Sequence, residues 1–191
     1  MREIIKKIAD CLLKPIIRFA YPQFKRQVGY TSYWSIFKRF FVMQKIVGFN
    51  RRVPWPVHFT ATIYDWQKIE KGICCDPGDN QGVYINANGG LKFGSDVEIG
   101  PNTTITTTNH NKYDYRKKGF KKGIVIGNHV WIGANCSITA GITIGDNVTI
   151  GAGCVIRQDI PSNTTVITKS DSLDFIPKRA YEWDCTQEEL M

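Results

Sequence analysis

The side chains of this chain that are best suited to move a proton at neutral pH are its three histidines, His58, His110 and His129. An unperturbed imidazole has a pKa of about 6.5, so it can take the proton from a hydroxyl group that acts as a nucleophile. His58 lies next to prolines, and His129 falls at a turn position where Asp or Asn would serve as well. His110 lies at the end of a run of threonines, where a regular pattern breaks off and a cleft can form. We therefore interpret His110 as a general base, with a polar turn residue as the alternative.

An internal period follows this histidine. Six consecutive hexapeptides, each led by isoleucine, fill residues 126–161: IGNHVW, IGANCS, ITAGIT, IGDNVT, IGAGCV and IRQDIP. Residues four apart point to the same side of an extended backbone, so the first and fifth places of each hexapeptide face inward. A period of six does not keep the face of a 3.6-residue helix in register. The pattern predicts a mainly β solenoid of short parallel strands.

Three hexapeptides in each turn stack residues that are 18 apart at the spacing of neighbouring strands, about 4.8 Å. This predicts Ile126 beneath Ile144, and Cys136 and Cys154 stacked in the interior. A catalytic or disulfide role for these two thiols is the alternative, but we favour small buried side chains that fill a narrow core. Weaker repeats in the same frame place the start of the solenoid near residues 81–87.

The frame is broken between Ile105 and Ile126, which are 21 residues apart, and 21 is not a multiple of six. If residues 105–110 and FKKGIV each count as one repeat, residues 111–119 are extra to the period. They are expected to form a loop that projects from the solenoid, and His110 is the last residue before it.

The positive charge of the chain is concentrated at its N-terminus. Residues 1–53 hold 12 Lys and Arg and two acidic residues, whereas residues 54–191 have a net charge of −2. Two amphipathic helices are predicted there. The first is REIIKKIADCLL, and Pro15 either ends this helix or begins a second one. The other is YWSIFKRFFVMQKIV, whose apolar side contains Trp34, Phe37, Phe40, Phe41 and Val47. They form either a basic anchor at an anionic membrane surface or a segment whose aromatics pack on the protein.

Length and composition favour one domain with a terminal appendage, because 191 residues with 42% hydrophobic residues suffice for a core. The chain has no uncharged apolar run of about 18 residues, so a membrane span is not predicted. A cleavable signal peptide is not expected, because Lys6 and Lys7 interrupt the first apolar residues. The six cysteines form neither CxxC pairs nor a dense disulfide framework. We expect a reducing, cytoplasmic location, with peripheral contact at the inner face of the membrane as an option. No nucleic-acid-binding motif accompanies the charge.

The hexapeptides, the interruption after a histidine, and the segments VWIGAN, GAGCVI and DIP resemble the left-handed β-helix (hexapeptide-repeat) acyltransferases. The resemblance is closest to the maltose/galactoside O-acetyltransferases and the polysaccharide-cluster O-acetyltransferases, and covers about residues 80–167. It implies a left-handed parallel β-helix, although ordinary parallel crossovers are right-handed. On this basis residues 1–56 form a basic helical segment and lead-in, residues 57–168 the acyltransferase domain, and residues 169–191 a C-terminal cap and mobile acidic tail.

The resemblance also implies the chemistry. It implies transfer of an acetyl group from acetyl-CoA directly to a sugar hydroxyl, through a tetrahedral intermediate, with His110 as general base. The acceptor would be a glycan, a cell-surface polysaccharide precursor or a small saccharide. The oxyanion donor would be the backbone amide of Ala134. A homotrimer with active sites between neighbouring solenoids is implied as well.

Further site residues follow from the same resemblance. Trp131 would stack on the acceptor sugar, with a merely exposed aromatic as the alternative, and Asn88 would bind the acceptor. Backbone groups near Ala134 and Ala152 would bind the pantetheine of coenzyme A. The TKD motif that lies near the coenzyme phosphates in the family is RQD here, so Arg157 would supply the charge. The cations in and after the loop would contact coenzyme phosphates or an anionic glycan, or are only solvated: Lys112, Arg116, Lys117, Lys118, Lys121 and Lys122.

Other functions of this fold remain as alternatives. N-acetylation of an amino sugar nucleotide uses the same fold and donor. A zinc carbonic anhydrase needs three histidine ligands, and the spacing of His58, His110 and His129 does not match that requirement, so no metal is expected. The last alternative is a non-catalytic binding scaffold, for which the threonines of ITTT at residues 105–108 would form a flat face. The run argues against it, because threonine is common in strands and the run does not recur every six or 18 positions.

Overall fold

The computed structural model of the protein describes residues 2–26, 31–110, 119–168 and 173–177. The strands in these ranges are β1 (Thr62–Tyr64), β2 (Ile69–Glu70), β3 (Tyr84–Asn86), β4 (Leu91–Phe93), β5 (Val97–Ile99), β6 (Thr104–Thr106), β7 (Ile124–Ile126), β8 (Val130–Ile132), β9 (Ser137–Ile138), β10 (Thr143–Ile144), β11 (Val148–Ile150), β12 (Val155–Ile156), β13 (Thr164–Thr168) and β14 (Leu173–Pro177). A short 3-10 helix, Trp66–Lys68, separates β1 from β2.

These strands form the three sides of a solenoid. Sheet I contains β1, β3, β6, β9 and β12; sheet II contains β2, β4, β7 and β10; sheet III contains β5, β8, β11, β13 and β14. All neighbours pair in parallel except β13 and β14, which form an antiparallel pair at the end of sheet III. We call the turns from sheet I to sheet II the I–II corner, and the turns from sheet III to sheet I the III–I corner.

The strand register agrees with the predicted 18-residue turn in the C-terminal coils. Ile126 pairs with Ile144, and in β7 and β8 the two outer residues are buried while the middle one is exposed. Cys136 and Cys154 are both buried free thiols in the core. The inward first and fifth places therefore build one continuous core of aliphatic side chains.

A column of left-handed residues introduces the strands of sheet III. Asp96, His129, Asn147 and Asn163 each precede a strand of that sheet and have φ between 54° and 59°. Asn, Asp and His tolerate this region better than most residues. His129 therefore occupies a turn place, as predicted, and the coil bends at the same point in each turn.

The interruption is larger than the sequence count suggested. Ile105 pairs with Ile138, 33 residues away, whereas Val130 pairs with Val148, 18 residues away, so this turn holds 15 additional residues. FKKGIV is not a repeat of its own, because Ile124 rather than Phe120 occupies the buried place. The frame from Phe120 was wrong because the chain there runs back along itself instead of along the coil.

We call the segment from Thr108 to Lys121 the arm. An antiparallel pair forms its base. Thr108 bridges Lys121, and the Asn109 N–H donates to the Phe120 carbonyl at 2.8 Å. The arm therefore leaves the solenoid at Thr108, before His110. The loop cations Lys112, Arg116, Lys117 and Lys118 lie outside the described residues, as does the C-terminal tail from residue 178.

The N-terminal segment consists of α1 (Arg2–Ala20), α2 (Tyr33–Ile36) and a continuation of α2 with π-type hydrogen bonding, Phe37–Val47. The expectation that Pro15 ends the first helix was wrong, because α1 continues through it to Ala20. A proline inside a helix removes one N–H donor, and burial of Ile17 beyond it holds the last turns in place. Among the described residues, no helix is long and apolar enough to cross a bilayer.

The helices have a hydrophobic cluster of their own, formed by Ile17, Tyr21, Tyr33, Ile36 and Phe40. Of the side predicted for the second helix, Phe40 is buried, whereas Trp34 and Val47 are exposed.

Buried Gln44 joins the helices to the lead-in. Its amide nitrogen donates to the Trp55 carbonyl at 3.0 Å, and its oxygen accepts the Val57 N–H at 2.9 Å. Trp55 lies in the solenoid core, so the lead-in connects the two clusters.

Candidate active site

His110 lies at the I–II corner and is exposed to solvent. An open pocket beside it is lined by Tyr64, Asp65, Tyr84, Asn86, Asn88, Thr108, Asn109, His110, Gly119 and Lys121. The register explains why these residues meet, since Tyr64 pairs with Asn86 and Asn86 pairs with Thr106. Parallel strands end at the same edge of a sheet, so the residues that follow β1, β3 and β6 converge on one place.

Asn88 is held firmly in this pocket. Its side-chain nitrogen donates to Asp65 Oδ2 at 2.7 Å, and its backbone N–H donates to Asn86 Oδ1 at 3.1 Å. Lys68 Nζ donates to the Asn88 carbonyl at 3.0 Å. The two predicted residues His110 and Asn88 therefore line one pocket, with the orientation of the Asn88 amide fixed by a carboxylate.

An aromatic pair forms part of the pocket wall. The rings of Tyr64 and Tyr84 meet edge to face, with centroids 5.8 Å apart and planes at 63°, and both side chains are exposed. Aromatic faces with polar tips suit a ligand that has both apolar C–H surfaces and hydroxyl groups. Sequence reasoning missed Tyr64 and Asp65, which precede the readable repeats.

A buried threonine connects the base of the arm to the turn that carries Asn88. Thr107 is fully buried; its Oγ1 donates to the Asn86 carbonyl at 2.9 Å and accepts the Gly89 N–H at 2.7 Å. A Cβ on Gly89 would come within 2.6 Å of the Thr107 carbonyl, so only glycine fits this contact. The threonine run thus has a positioning role that the sequence did not reveal.

Of the remaining predicted residues, Arg157 lies at the same corner as His110, and the others lie on other parts of the solenoid. Trp131 projects from sheet III between its register partners Glu98 and Thr149, with 60% of the residue exposed. Ala134 and Ala152 occupy successive turns of the III–I corner. Exposed Arg157 follows β12 and lies at the I–II corner, two turns beyond His110.

The backbone at the III–I corner offers amide groups. Within the described part of the chain, the amide nitrogens of Ala134 and Ala152 donate to no protein acceptor, whereas the Ala134 carbonyl accepts the Gly153 N–H at 2.9 Å. Fixed, unused N–H groups are the donors that stabilise an oxyanion. A single chain does not bring them to His110, because the two corners lie on different edges of the prism.

The other two histidines have local partners. His129 Nδ1 lies 2.8 Å from Asp96 Oδ2, and His58 Nδ1 lies 2.8 Å from Thr60 Oγ1. Burial, with Arg39 nearby, lowers the pKa of His58. Of the His, Cys, Asp and Glu side chains that the structure describes, no three lie close enough together to hold a metal ion.

A buried ionic cluster links the N-terminal segment to the solenoid. Arg26 donates to Asp76 at 2.9 Å, to Asp79 at 3.0 Å and to Glu98 at 2.7 Å. Lys71 Nζ lies 3.2 Å from the other oxygen of Asp76. Burial raises the pKa of Asp79 to about 7. The negative charges of Glu98 and Asp76 also raise this pKa, whereas the positive charge of Arg26 lowers it.

Comparison with known proteins connects this geometry to a family. Residues 123–158 match the bacterial transferase hexapeptide family of six repeats. No curated protein matches the sequence significantly.

Three solved structures of acetyltransferases are similar to the chain. A hexapeptide-repeat acetyltransferase from Vibrio cholerae O1 biovar eltor, complexed with acetyl-CoA, is 29% identical over 62% of this chain and 64% of that one, with a TM-score of 0.52. A maltose O-acetyltransferase from Clostridium difficile 630 is 30% identical over 63% and 64%, with a TM-score of 0.52. A galactoside acetyltransferase in complex with coenzyme A is 27% identical over 62% and 58%, with a TM-score of 0.52.

The chain therefore spans less than two thirds of the length of each of these proteins. The resemblance and the fold class, a left-handed parallel β-helix with an N-terminal helical segment, are confirmed. The domain limits at residues 56 and 168 stay predictions.

Proposed function

We propose that the protein transfers an acetyl group from acetyl-CoA to a sugar hydroxyl of a glycan, a cell-surface polysaccharide precursor or a small saccharide. The observation that carries the proposal is that His110 and Asn88 line one open pocket at a solenoid corner. The similarity to an acetyl-CoA complex and to a maltose O-acetyltransferase supports the donor and the class of acceptor.

In the proposed reaction His110 acts as general base. Its imidazole takes the proton of the acceptor hydroxyl while the oxygen attacks the thioester carbonyl, which forms a tetrahedral intermediate. The Ala134 N–H donates to the oxyanion. When the intermediate collapses, the C–S bond breaks, and the imidazolium returns its proton to the departing thiolate. Asn88 and the Tyr64–Tyr84 pair hold the sugar in place.

The site needs residues from two edges of the prism, so we propose that it is completed in a homotrimer. One subunit would supply His110 and Asn88 at its I–II corner, and a neighbour would supply Trp131, Ala134 and Ala152. Arg157, which stands where the family has its TKD motif, would contact the coenzyme phosphates. Lys121, which lines the pocket, would contact an anionic part of either substrate.

The role of His110 is tested by activity on a panel of hydroxyl and amino sugars with acetyl-CoA, measured as released thiol. We expect transfer to hydroxyl acceptors, and His110→Ala should lower kcat by about 100-fold or more while coenzyme binding and circular dichroism stay unchanged. The matched control is His129→Asn, because asparagine occupies the equivalent turn place at Asn147. Turnover retained in His110→Ala would refute the assignment, and transfer to amines alone would favour the amino sugar nucleotide alternative.

Subunit complementation tests the shared site. Chains carrying His110→Ala are mixed with chains carrying Trp131→Ala, and the two are refolded together. Suppose that each site takes His110 from one subunit and Trp131 from another. When equal amounts of the two chains assort at random into trimers, about a quarter of all sites are then intact. Activity should therefore exceed that of either variant alone. A mixture no more active than its parts would contradict the shared site.

A further inference from the structure

Helix α1 presents a row of large apolar side chains to solvent. Ile8, Leu12, Ile16 and Phe19 are 56%, 68%, 47% and 91% exposed. Their spacings of four, four and three residues place them on one face of the helix. Four such residues in a row form a contiguous apolar surface, and surfaces of this kind mark a site of interaction.

This face does not cover the core of the protein. The opposite side of α1 does so, since Ile17 is buried beside Tyr33, Ile36 and Phe40. Asp10 Oδ1 accepts the backbone N–H of Trp34 at 2.7 Å, which fixes α1 against the second helix. The helix is thus docked with its apolar row directed outward.

Positive charge accompanies the apolar row. Lys14 and Arg18 on the same helix are exposed, and Lys38 lies 5.4 Å from the ring centroid of exposed Trp34. The only acidic residues among residues 1–53 of the sequence are Glu3 and Asp10, so this segment has a net charge of +10.

The charge decides which occupant fits. In a symmetric dimer the same patch would meet itself, and two segments of net charge +10 would be brought together. An exposed apolar row on a helix within a segment of net charge +10, with exposed Arg18 next to Phe19 in the sequence, instead matches the interface of an anionic bilayer.

We infer that the protein binds an anionic membrane surface through α1, with Ile8, Leu12, Ile16 and Phe19 in the interfacial layer and the positive charge of the N-terminal segment, Arg18 included, attracting the anionic headgroups. The helix lies in the plane of the interface and does not span the bilayer. This inference does not depend on the proposed transferase activity, and its test uses no acceptor.

The test is sedimentation of the full chain with vesicles. We expect binding to vesicles of equal parts phosphatidylcholine and phosphatidylglycerol, weakened by added salt, and little binding to pure phosphatidylcholine. The double variant Leu12→Ser, Phe19→Ser should lose about tenfold or more in binding. The matched control is Val125→Ser, Val155→Ser, which removes two exposed apolar side chains from the solenoid.

Both variants should keep the thermal unfolding midpoint of the parent, because the replaced side chains are exposed. Equal vesicle binding by parent and α1 variant would overturn the inference, as would absence of binding to the anionic vesicles. A change in oligomeric state on α1 substitution, without a change in vesicle binding, would assign the face to a second copy of the chain.

Discussion

The Asn88 side-chain amide donates a hydrogen bond of 2.7 Å to Asp65 Oδ2. The two residues follow strands in successive turns of sheet I, and both line the pocket that contains His110. Because the Asn88 nitrogen is directed to a carboxylate, the amide has a defined orientation toward the pocket. A fixed orientation lowers the cost of binding a hydroxyl-rich ligand, since less freedom is lost on association.

Removing the Asn88–Asp65 hydrogen bond should weaken acceptor binding more than it slows the transfer step. We expect Asn88→Ala to raise the acceptor KM by about tenfold with a smaller change in kcat, because the lost contact serves substrate and transition state alike. Asp65→Ala should act in the same direction but less, since the amide remains. Steady-state kinetics with varied acceptor measure this, and exposed Gln67→Ala is the control. A fall in kcat alone would instead place Asn88 in the chemical step.

Thr107→Val should impair the site although Thr107 does not line the pocket. Valine has the shape of threonine, but the Gly89 N–H and the Asn86 carbonyl would lose their bonds to the Thr107 hydroxyl. The Asn86 carbonyl still accepts the Thr107 N–H at 3.0 Å, so the Gly89 N–H is the group that is left without a partner. An unsatisfied N–H costs about 1–3 kcal/mol, so the free energy of unfolding should fall. The turn that carries Asn88 also loosens, and activity should fall with it. Thr164→Val, at another buried threonine, should lower stability in urea titrations yet leave kcat unchanged. Equal losses of activity in both variants would refute a specific positioning role.

The local period predicted the C-terminal coils because each hexapeptide is a short-range signal. The pairing of Ile126 with Ile144 follows from it directly. The earlier coils are less regular, since Ile63 pairs with Ile85, 22 residues away, and their turns hold extra residues. Tyr64 and Asp65 therefore carry no periodic signal, although they complete the pocket.

Contacts between distant segments were beyond the reach of sequence reasoning. The Arg26 cluster joins residues that are 50 or more apart, and no local pattern marks them. The antiparallel pairing of Thr108 with Lys121 is also a tertiary feature, so counting repeats underestimated the arm. His110 was singled out because it stands beside recognisable repeats, and Asn88 because its segment resembles the family; their roles in the site stay predictions.

Glycine at the second place of a hexapeptide should be essential only where coils approach closely. A Cβ on Gly133 would lie 2.6 Å from the Ala152 nitrogen and 2.8 Å from the Ile150 carbonyl oxygen. At Gly151 the nearest atom is the Val166 carbonyl oxygen at 3.2 Å. We expect Gly133→Ala to lower the free energy of unfolding by about 1–3 kcal/mol. Gly151→Ala, the matched control, should change it by less than about 1 kcal/mol. Equal changes in urea titrations would contradict the steric explanation.

The Arg26 cluster contains more negative than positive charge. Asp76, Asp79 and Glu98 surround Arg26, and Lys71 balances only one further carboxylate. Burial raises the pKa of Asp79 from 3.8 to about 7, and Glu98 and Asp76 also favour the protonated form, while Arg26 and Arg39 oppose it. Across the range between those two values, the folded protein holds a proton that the unfolded chain has released.

This difference makes stability depend on pH with a definite sign. Because the folded state binds the additional proton, the contribution of Asp79 to the free energy of unfolding should decline as pH rises toward neutrality and level off above about 7. Asp79→Asn mimics the protonated carboxyl and should flatten the decline in urea titrations between about pH 5 and about pH 8. Glu70→Gln, which neutralises an exposed carboxylate 3.9 Å from Lys92, should leave the slope unchanged. Equal slopes in the parent and in Asp79→Asn would show that Arg26 keeps Asp79 ionised throughout, because its attraction would then outweigh the cost of burial.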